Sequence, residues 1–220
     1  MPLTNYQEFG YIDVSWSNGQ KDSAWYSWRV YRRDAVPVGA WELIHETKVD
    51  QSVYHFHDWT AKVGWVYQYA VVQVAYRFDQ PVESNYLASA QVTPFDDAYW
   101  LINPDDETMN MRLHVRSDQF KDEVEEATIN LIGRGRRKEF GTIWGKRGSV
   151  TASIRRDSTL TPAQQRARLE DLRLSLKYCY FRNPFGDVWK VTTGDIDMSR
   201  IAGVGNEEMI DVSFEYEEVI

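Results

Sequence analysis

The segment 180–220 constrains the fold most tightly, because almost every residue in it fits a plan of strands and turns. Residues 183–186 (Asn-Pro-Phe-Gly) predict a tight turn, with Pro presetting φ at the second position and Gly at the fourth. Apolar and polar side chains alternate in the flanking segments, which places the apolar side chains on a buried face of the sheet and the polar ones on a face exposed to solvent. The predicted strands are residues 180–182, 188–191, 196–198 and 210–217. This pattern predicts an antiparallel sheet and favours a structural or interaction protein.

The composition is that of a globular protein with an excess of aromatic residues. The chain has 220 residues, of which 43% are apolar and 26% charged, so it can bury the core of one large or two small domains. Nine Trp and thirteen Tyr favour strands, aromatic cores and protein-binding surfaces. The net charge of −8 argues against nucleic acid as the main partner, because phosphate binding needs a positive field.

Targeting signals and disulfides are not expected. The single cysteine, Cys179, has no partner for an internal disulfide, so the chain needs no oxidising compartment. Because no apolar run reaches about 18 residues and the start shows no basic region followed by an apolar stretch, we expect neither export nor membrane insertion.

The first part of the chain, residues 1–94, predicts a β-sandwich. It contains six or so short strands bounded by turn residues and no helical pattern. Several of its positions recur in fibronectin type III domains: Trp16, the alternating run Tyr26, Trp28, Val30 and Arg32, the pair Asp58 and Gly64, and the run Tyr67, Tyr69 and Val71. This part therefore resembles a fibronectin type III domain. Residues 3–9 are short and polar for a first strand, so that strand is expected to be abbreviated or supplied differently.

The second part, residues 95–220, predicts strands and one packed α-helix. Residues 109–116, 127–132 and 148–154 are expected as separate strands, which gives about seven strands with those of the C-terminal segment. Thr161, Pro162 and Gln164 mark the start of a helix that should run to about Ser175 and pack through Leu169, Leu172 and Leu176.

This second part resembles the tail-tube-like β-barrel or sandwich of long-tailed, siphovirus-type bacteriophages. The strings 180–189, 194–196 and 201–205, the acidic last strand, and the opening string 100–104 with its basic Gly-Arg hairpin are similar to minor tail proteins of phages that infect actinobacteria. The resemblance implies a mainly β chain that is a structural virion protein rather than an enzyme.

Catalytic, metal and cofactor sites are not predicted. His55 and His57 share one strand face but need further ligands from elsewhere for a metal, and Asp58 points to the opposite face. The acidic residues 105–107 and 122–126 are typical of solvated loops, and Cys179 carries no signal of a lowered pKa. Gly203 and Gly205 precede a strand rather than a helix, so they form no dinucleotide motif.

A basic run is the best candidate for a functional surface. Its residues are Arg134, Arg136, Arg137 and Lys138, continued by Lys146 and Arg147. It is either a solvated hairpin or a surface that docks on the carboxylates of a neighbouring subunit. The candidate acidic partners are Glu215, Glu217 and Glu218, or the segment 122–126. Arg suits such a contact because its planar guanidinium pairs with carboxylates in a bidentate way.

The sequence thus predicts a minor tail component, near the tail tip or baseplate, that assembles with other tail proteins and with its own copies as a ring, trimer or hexamer. We expect it in the virion tail, assembled in the bacterial cytoplasm, without cofactor, nucleic acid or membrane insertion. The alternative is a host-surface or carbohydrate-binding module that uses Trp25, Trp41, Trp59 or Trp65 as sugar platforms. A third, weaker interpretation is an accessory domain of a glycan hydrolase.

Overall fold

The computed structural model describes residues 3–8, 10–17, 21–131, 135–156, 160–174, 178–200 and 209–219. The chain divides into two compact units, Met1–Asp97 with Pro184–Asp187 and Ala98–Asn183 with Val188–Ile220. Both are built from strands, so the prediction of a mainly β fold is confirmed.

The first unit is a sandwich of two antiparallel sheets. A three-stranded sheet has the order β1-β2-β5, and a larger sheet has the order β4-β3-β6-β7 with β8 also paired to β6. The bounds are β1 Leu3–Gln7, β2 Ile12–Ser17, β3 Trp25–Asp34, β4 Glu42–Thr47, β5 Val53–Asp58, β6 Tyr67–Arg77, β7 Gln80–Glu83 and β8 Leu87–Val92. The first strand, expected to be abbreviated, pairs with β2 along all of its length.

The core of this sandwich follows from the alternation in its strands. Ile12, Val14 and Trp16 on β2 face Trp28 on β3 and Tyr69 on β6, and all five are buried. On β2 the side chains between them point to the other face of the sheet, whereas on β6 both faces are buried, because Ala70 and Val72 pack with Tyr31 in a second cluster.

The second unit is a closed six-stranded barrel with the order β10-β11-β14-β13-β12-β9. The bounds are β9 Tyr99–Ile102, β10 Met111–Leu131, β11 Gly135–Arg155, α1 Pro162–Leu174, β12 Cys179–Arg182, β13 Val188–Arg200 and β14 Met209–Glu218. Strands β9 and β12 are short, whereas the other four are long, so closure involves only part of the length of β10 and β13.

The separate strands expected at residues 109–116 and 127–132 are a wrong prediction. Residues 111–116 and 127–131 both belong to the single 21-residue strand β10, residues 109–110 precede it, and residue 132 lies outside the described residues. Residues 196–198 likewise lie inside β13. The described residues of this unit therefore contain six strands rather than about seven. The alternation misled because β-bulges shift the register, at Val115/Ser117 in β10 and at Thr193/Ile196 in β13.

The predicted helix is confirmed, and so is the reason for its start. The Thr161 hydroxyl accepts a hydrogen bond from the Gln164 amide at 3.3 Å, and the Gln164 side chain accepts one from the Thr161 amide at 2.9 Å. This reciprocal pair is a capping box. Leu169 and Leu172 are buried in the barrel core, while Leu176 and Ser175 lie outside the described residues.

Side chains fill the interior of the barrel. Its core comprises Leu101, Met111, Leu113, Val150, Ala152, Ile154, Leu169, Leu172, Cys179, Phe181, Trp189, Val191, Val212, Phe214 and Tyr216. A six-stranded barrel is narrow enough to be packed rather than open. Among the described residues, no helix has the length and apolar character needed to cross a membrane.

Candidate subunit interface

Strands β10 and β11 continue well beyond the barrel as a two-stranded extension. Pairing of β11 with β14 stops at Arg147 opposite Glu217, whereas pairing of β10 with β11 continues to Leu131 opposite Gly135. We call residues 123–131 and 135–145 the ribbon. At ~3.4 Å per residue it reaches about 30 Å beyond the barrel. An isolated hairpin is marginally stable in water, so a ribbon of this length is suited to being covered by other molecules.

The predicted basic run lies at the far end of the ribbon. Arg136 is opposite Asn130, and Lys138 is opposite Thr128, so the described backbone of this run lies in the part of the ribbon furthest along the pairing from the barrel. Arg134 lies outside the described residues, and so do the side chains of Arg136, Arg137 and Lys138. Lys146 and Arg147, which continue the run in sequence, lie instead at the base of the ribbon.

The three predicted acidic residues lie on β14 beside this base. Arg147 Nη2 donates to Glu215 Oε2 at 3.1 Å, and the backbone amide of Lys146 donates to Glu218 Oε2 at 3.0 Å. Glu217 is exposed and opposite Arg147 in the register. Two of the three carboxylates therefore have partners in their own chain. Contact of these residues with the basic run of another copy stays a prediction.

Aromatic rings and one lysine hold the base of the ribbon on the barrel. Lys146 Nζ lies 2.9 Å from Asp122 Oδ1, and it lies over the rings of Phe120 and Trp189 at 4.9 and 5.6 Å from their centroids. Trp189 stacks on Tyr216 with a centroid distance of 5.9 Å. Cation–π contacts of this kind are stronger when the ring is desolvated, and Trp189 is buried.

One glycine makes this packing possible. Gly148 is opposite Tyr216, whose ring crosses over it so that the hydroxyl lies 3.2 Å from Asp118 Oδ1. A Cβ at Gly148 would lie 2.4 Å from Tyr216 Cζ and 2.6 Å from the backbone oxygen of Gln119. Only glycine leaves room for the ring. The sequence alone did not reveal this pairing.

Two strand edges are left open by the short closing strands. Strand β9 pairs with β10 only at Met111–Leu113, and β12 pairs with β13 only at Val188–Val191. In the part of the chain that the structure describes, no strand pairs with that edge of β10 after Leu113 or of β13 after Val191. Open edges of this length are templates for pairing with another chain.

In the structure, a third residue, Asp13, lies beside the pair His55 and His57. Asp13, buried on the outer face of the three-stranded sheet, has its carboxylate 3.2 Å from His55 Nδ1 and 3.8 Å from His57 Nε2. Among the described residues, no group of three or more His, Cys, Asp or Glu side chains has an arrangement that could hold a metal ion.

Asp58 lies on the opposite, buried face, as the alternation predicted. Arg32 Nη1 donates to its carboxylate at 2.9 Å, Tyr69 Oη at 2.8 Å and the Thr60 amide at 2.9 Å. Burial opposes ionisation, but the charge of Arg32 and these hydrogen bonds outweigh it and hold the pKa of Asp58 below its ordinary value. This network joins strands of both sheets, so its role is structural.

The four candidate tryptophans of the carbohydrate-binding alternative all contact side chains of their own unit. Lys21 lies over Trp25 at 3.8 Å and Lys62 over Trp65 at 5.1 Å. Trp41 stacks on Tyr86 at 5.4 Å, and Trp59 contacts Tyr11 at 4.7 Å. Of the four, Trp65 is the one with a large exposed fraction, 43%.

Cys179 is buried in the barrel core, and burial raises the pKa of its thiol to about 12. A thiol in this state is unreactive, since the thiolate is the nucleophile.

Comparison with known proteins identifies no family for this chain. No protein-family model and no curated protein matches the chain. Among solved structures, one described as the tail of an empty GTA particle, computed with helical refinement and C6 symmetry, superposes with a TM-score of 0.36 and 13% sequence identity. The match covers 56% of this chain and 96% of that one. A superposition at this level carries no argument about fold or function.

Proposed function

We propose that the chain is a structural component of a phage-like tail and that its barrel unit assembles into rings of identical copies. The observation that carries this proposal is the pair of open strand edges on β10 and β13. They are the two outer strands of the four-stranded path β10-β11-β14-β13. The resemblance of residues 98–220 to minor tail proteins points the same way.

The position of the two edges favours a ring over a symmetric dimer. Because β10 and β13 are different surfaces at opposite sides of one sheet, pairing β13 of one copy with β10 of the next is a head-to-tail contact, which closes into a ring when the rotation permits. Each neighbouring pair along the path is antiparallel, so β13 runs opposite to β10. Copies related by rotation would therefore pair in the favourable antiparallel sense.

The same sheet would line the opening of such a ring. Strands β9 and β12 and helix α1 all lie on the side of the four-stranded sheet that faces the barrel core. In a ring, this bulkier side of the subunit would fit the outer circumference, so the opposite face of the sheet would line the opening. The other face carries Thr151, Ser213 and Asp197 side by side in the register. These polar side chains suit contact with water.

In this proposal the ribbon reaches over the adjacent subunit, and its basic end pairs with carboxylates there. The sandwich unit, which resembles a fibronectin type III domain, would contact other tail proteins or the host surface near the tail tip or baseplate. Such work needs no catalytic residue and no cofactor, and we place the chain among the non-enzymatic virion proteins.

Charge reversal at the end of the ribbon tests this proposal. We expect Arg136→Glu with Arg137→Glu to shift the purified chain from rings to monomers at moderate salt, as measured by light scattering. Reversal of Arg155 and Arg156, two exposed residues at the other end of β11 and just beyond it, is the matched control. An unchanged oligomer in the first variant would remove the proposed role of the basic run.

A further inference from the structure

We infer that Glu218 is a positioning residue that fixes the direction in which the ribbon leaves the barrel. Its carboxylate accepts the backbone amide of Lys146 at 3.0 Å, at the point where the ladder between β11 and β14 has ended. A side-chain oxygen thus takes the place of the missing strand partner at the base of the ribbon.

The ribbon needs such a tie because its base is irregular. The register of β10 with β11 shifts between Glu123 and Val124 and again between Val124 and Glu126. Each bulge bends the strands and increases their local twist. The ladder of the ribbon continues to Leu131 opposite Gly135, but the two shifts interrupt its regular pairing at the base. The direction of the ribbon relative to the barrel therefore depends on what holds the residues just before these shifts.

Glycine allows Glu218 to reach this place. Gly145, directly before Lys146, is buried and has a φ of 123°, which side-chain-bearing residues rarely adopt. A Cβ at Gly145 would lie 3.2 Å from Glu218 Cβ and 3.5 Å from Glu218 Oε2. The carboxylate therefore lies across the glycine and bonds to the next amide.

A second tie acts on the same residue from the other strand. The ammonium of Lys146 pairs with Asp122 at 2.9 Å and lies over Phe120 and Trp189. Its side chain is held by β10 and the barrel aromatics, while its amide is held by β14. Glu218 thus has a partner in its own chain, and its contact with another subunit stays a prediction.

The consequence for assembly rests on the proposed function. A ribbon with a fixed direction would meet the adjacent subunit without first losing conformational freedom, which strengthens association. The direction of the ribbon, however, can be measured in dilute monomers, where no ring forms.

The test uses the full chain with spin labels at Thr128→Cys on the ribbon and Ser213→Cys on β14. Cys179 needs no replacement because it is buried, with its thiol pKa raised to about 12. We expect a narrow distance distribution in the parent chain and in Glu218→Gln, which keeps an oxygen acceptor. We expect a broad one in Glu218→Ala, with amide exchange at Lys146 about tenfold faster. Glu217→Ala, at the exposed neighbour, is the control and should match the parent.

A broad distribution in the parent chain would overturn the inference, and so would an equally narrow one in Glu218→Ala. Light scattering at higher concentration separates the two proposals. A fixed ribbon in a chain that never forms rings would refute the proposed function alone. Rings that form equally well in Glu218→Ala, despite a loosened ribbon, would overturn the contribution of Glu218 to assembly.

Discussion

Replacing Gly148 by alanine should destabilise the barrel strongly, and much more than the same replacement at Gly194. The new Cβ would lie 2.4 Å from Tyr216 Cζ and 2.6 Å from the Gln119 backbone oxygen, and real Cβ contacts this short do not occur. Tyr216 cannot move away easily, because its ring contacts Phe181 at 5.0 Å and Trp189 at 5.9 Å. The Gln119 oxygen belongs to the strand ladder and is equally fixed.

The magnitude follows from these two contacts. Overpacking a core by one methyl group costs about 1–3 kcal/mol, and displacement of Tyr216 would also weaken its hydrogen bond to Asp118, worth about 1 kcal/mol. We expect a loss of about 3 kcal/mol, measured by urea unfolding of the full chain. Because the two units need not unfold together, the transition of the barrel is followed by near-ultraviolet circular dichroism against a parent control.

Gly194→Ala is the matched control for this prediction. It adds the same methyl group to the same barrel, but the closest atoms to its Cβ are the oxygen and Cβ of Glu215 at 3.6 and 3.8 Å, which are ordinary contacts. We expect a change of about 0.5 kcal/mol or less, since the substitution also reduces the freedom of the unfolded chain. Equal losses in Gly148→Ala and Gly194→Ala would refute the reasoning.

Three further predictions concern other parts of the chain. Asp58→Asn should cost about 3 kcal/mol, because it leaves Arg32 buried without its main charged partner. The difference in the free energy of unfolding between the parent and this variant should be largest above the ordinary carboxyl pKa. It should fall as the pH drops through the lowered pKa of Asp58, as acid unfolding of both proteins would show. Cys179 should resist a thiol reagent at pH 8 in the folded chain and react in urea; rapid labelling without urea would contradict its burial. Thr161→Ala should cost about 1 kcal/mol by loss of the cap to Gln164, and an unchanged unfolding midpoint would argue against that cap.

Local signals made part of the fold predictable. The start of α1 follows from Thr161, Pro162 and Gln164, which lie within four positions of one another, and Thr161 and Gln164 are joined by hydrogen bonds. The last strand, β14, was predicted almost to its ends because its alternation is unbroken. Features of this kind depend on neighbours in the sequence, so the sequence is enough to predict them.

The continuity of β10 could not be predicted in this way. Its alternation breaks at Arg116, where the structure has a bulge, and acidic residues then suggest a loop although they continue the strand. The continuous strand is stabilised by its pairing with β11. This pairing joins residues that are distant in the sequence, so the local pattern of apolar and polar residues does not indicate it.

The candidate interface was predictable only in part. The basic run was identified by charge, but the roles of Gly148 and Glu218 depend on which strands become neighbours. Glu218 looked like one of three equivalent surface acids on β14, although it accepts the amide of Lys146 and its neighbour Glu217 is exposed. Sequence alternation cannot distinguish them, because that difference arises where the β11–β14 ladder ends.

Electron microscopy of the purified full-length chain at high concentration tests the central claim most directly. The account predicts closed rings of one copy number in which β13 of each subunit continues into β10 of the next as an antiparallel sheet. A chain that remains monomeric at every concentration, or an oligomer in which both of these strand edges face solvent, would contradict it.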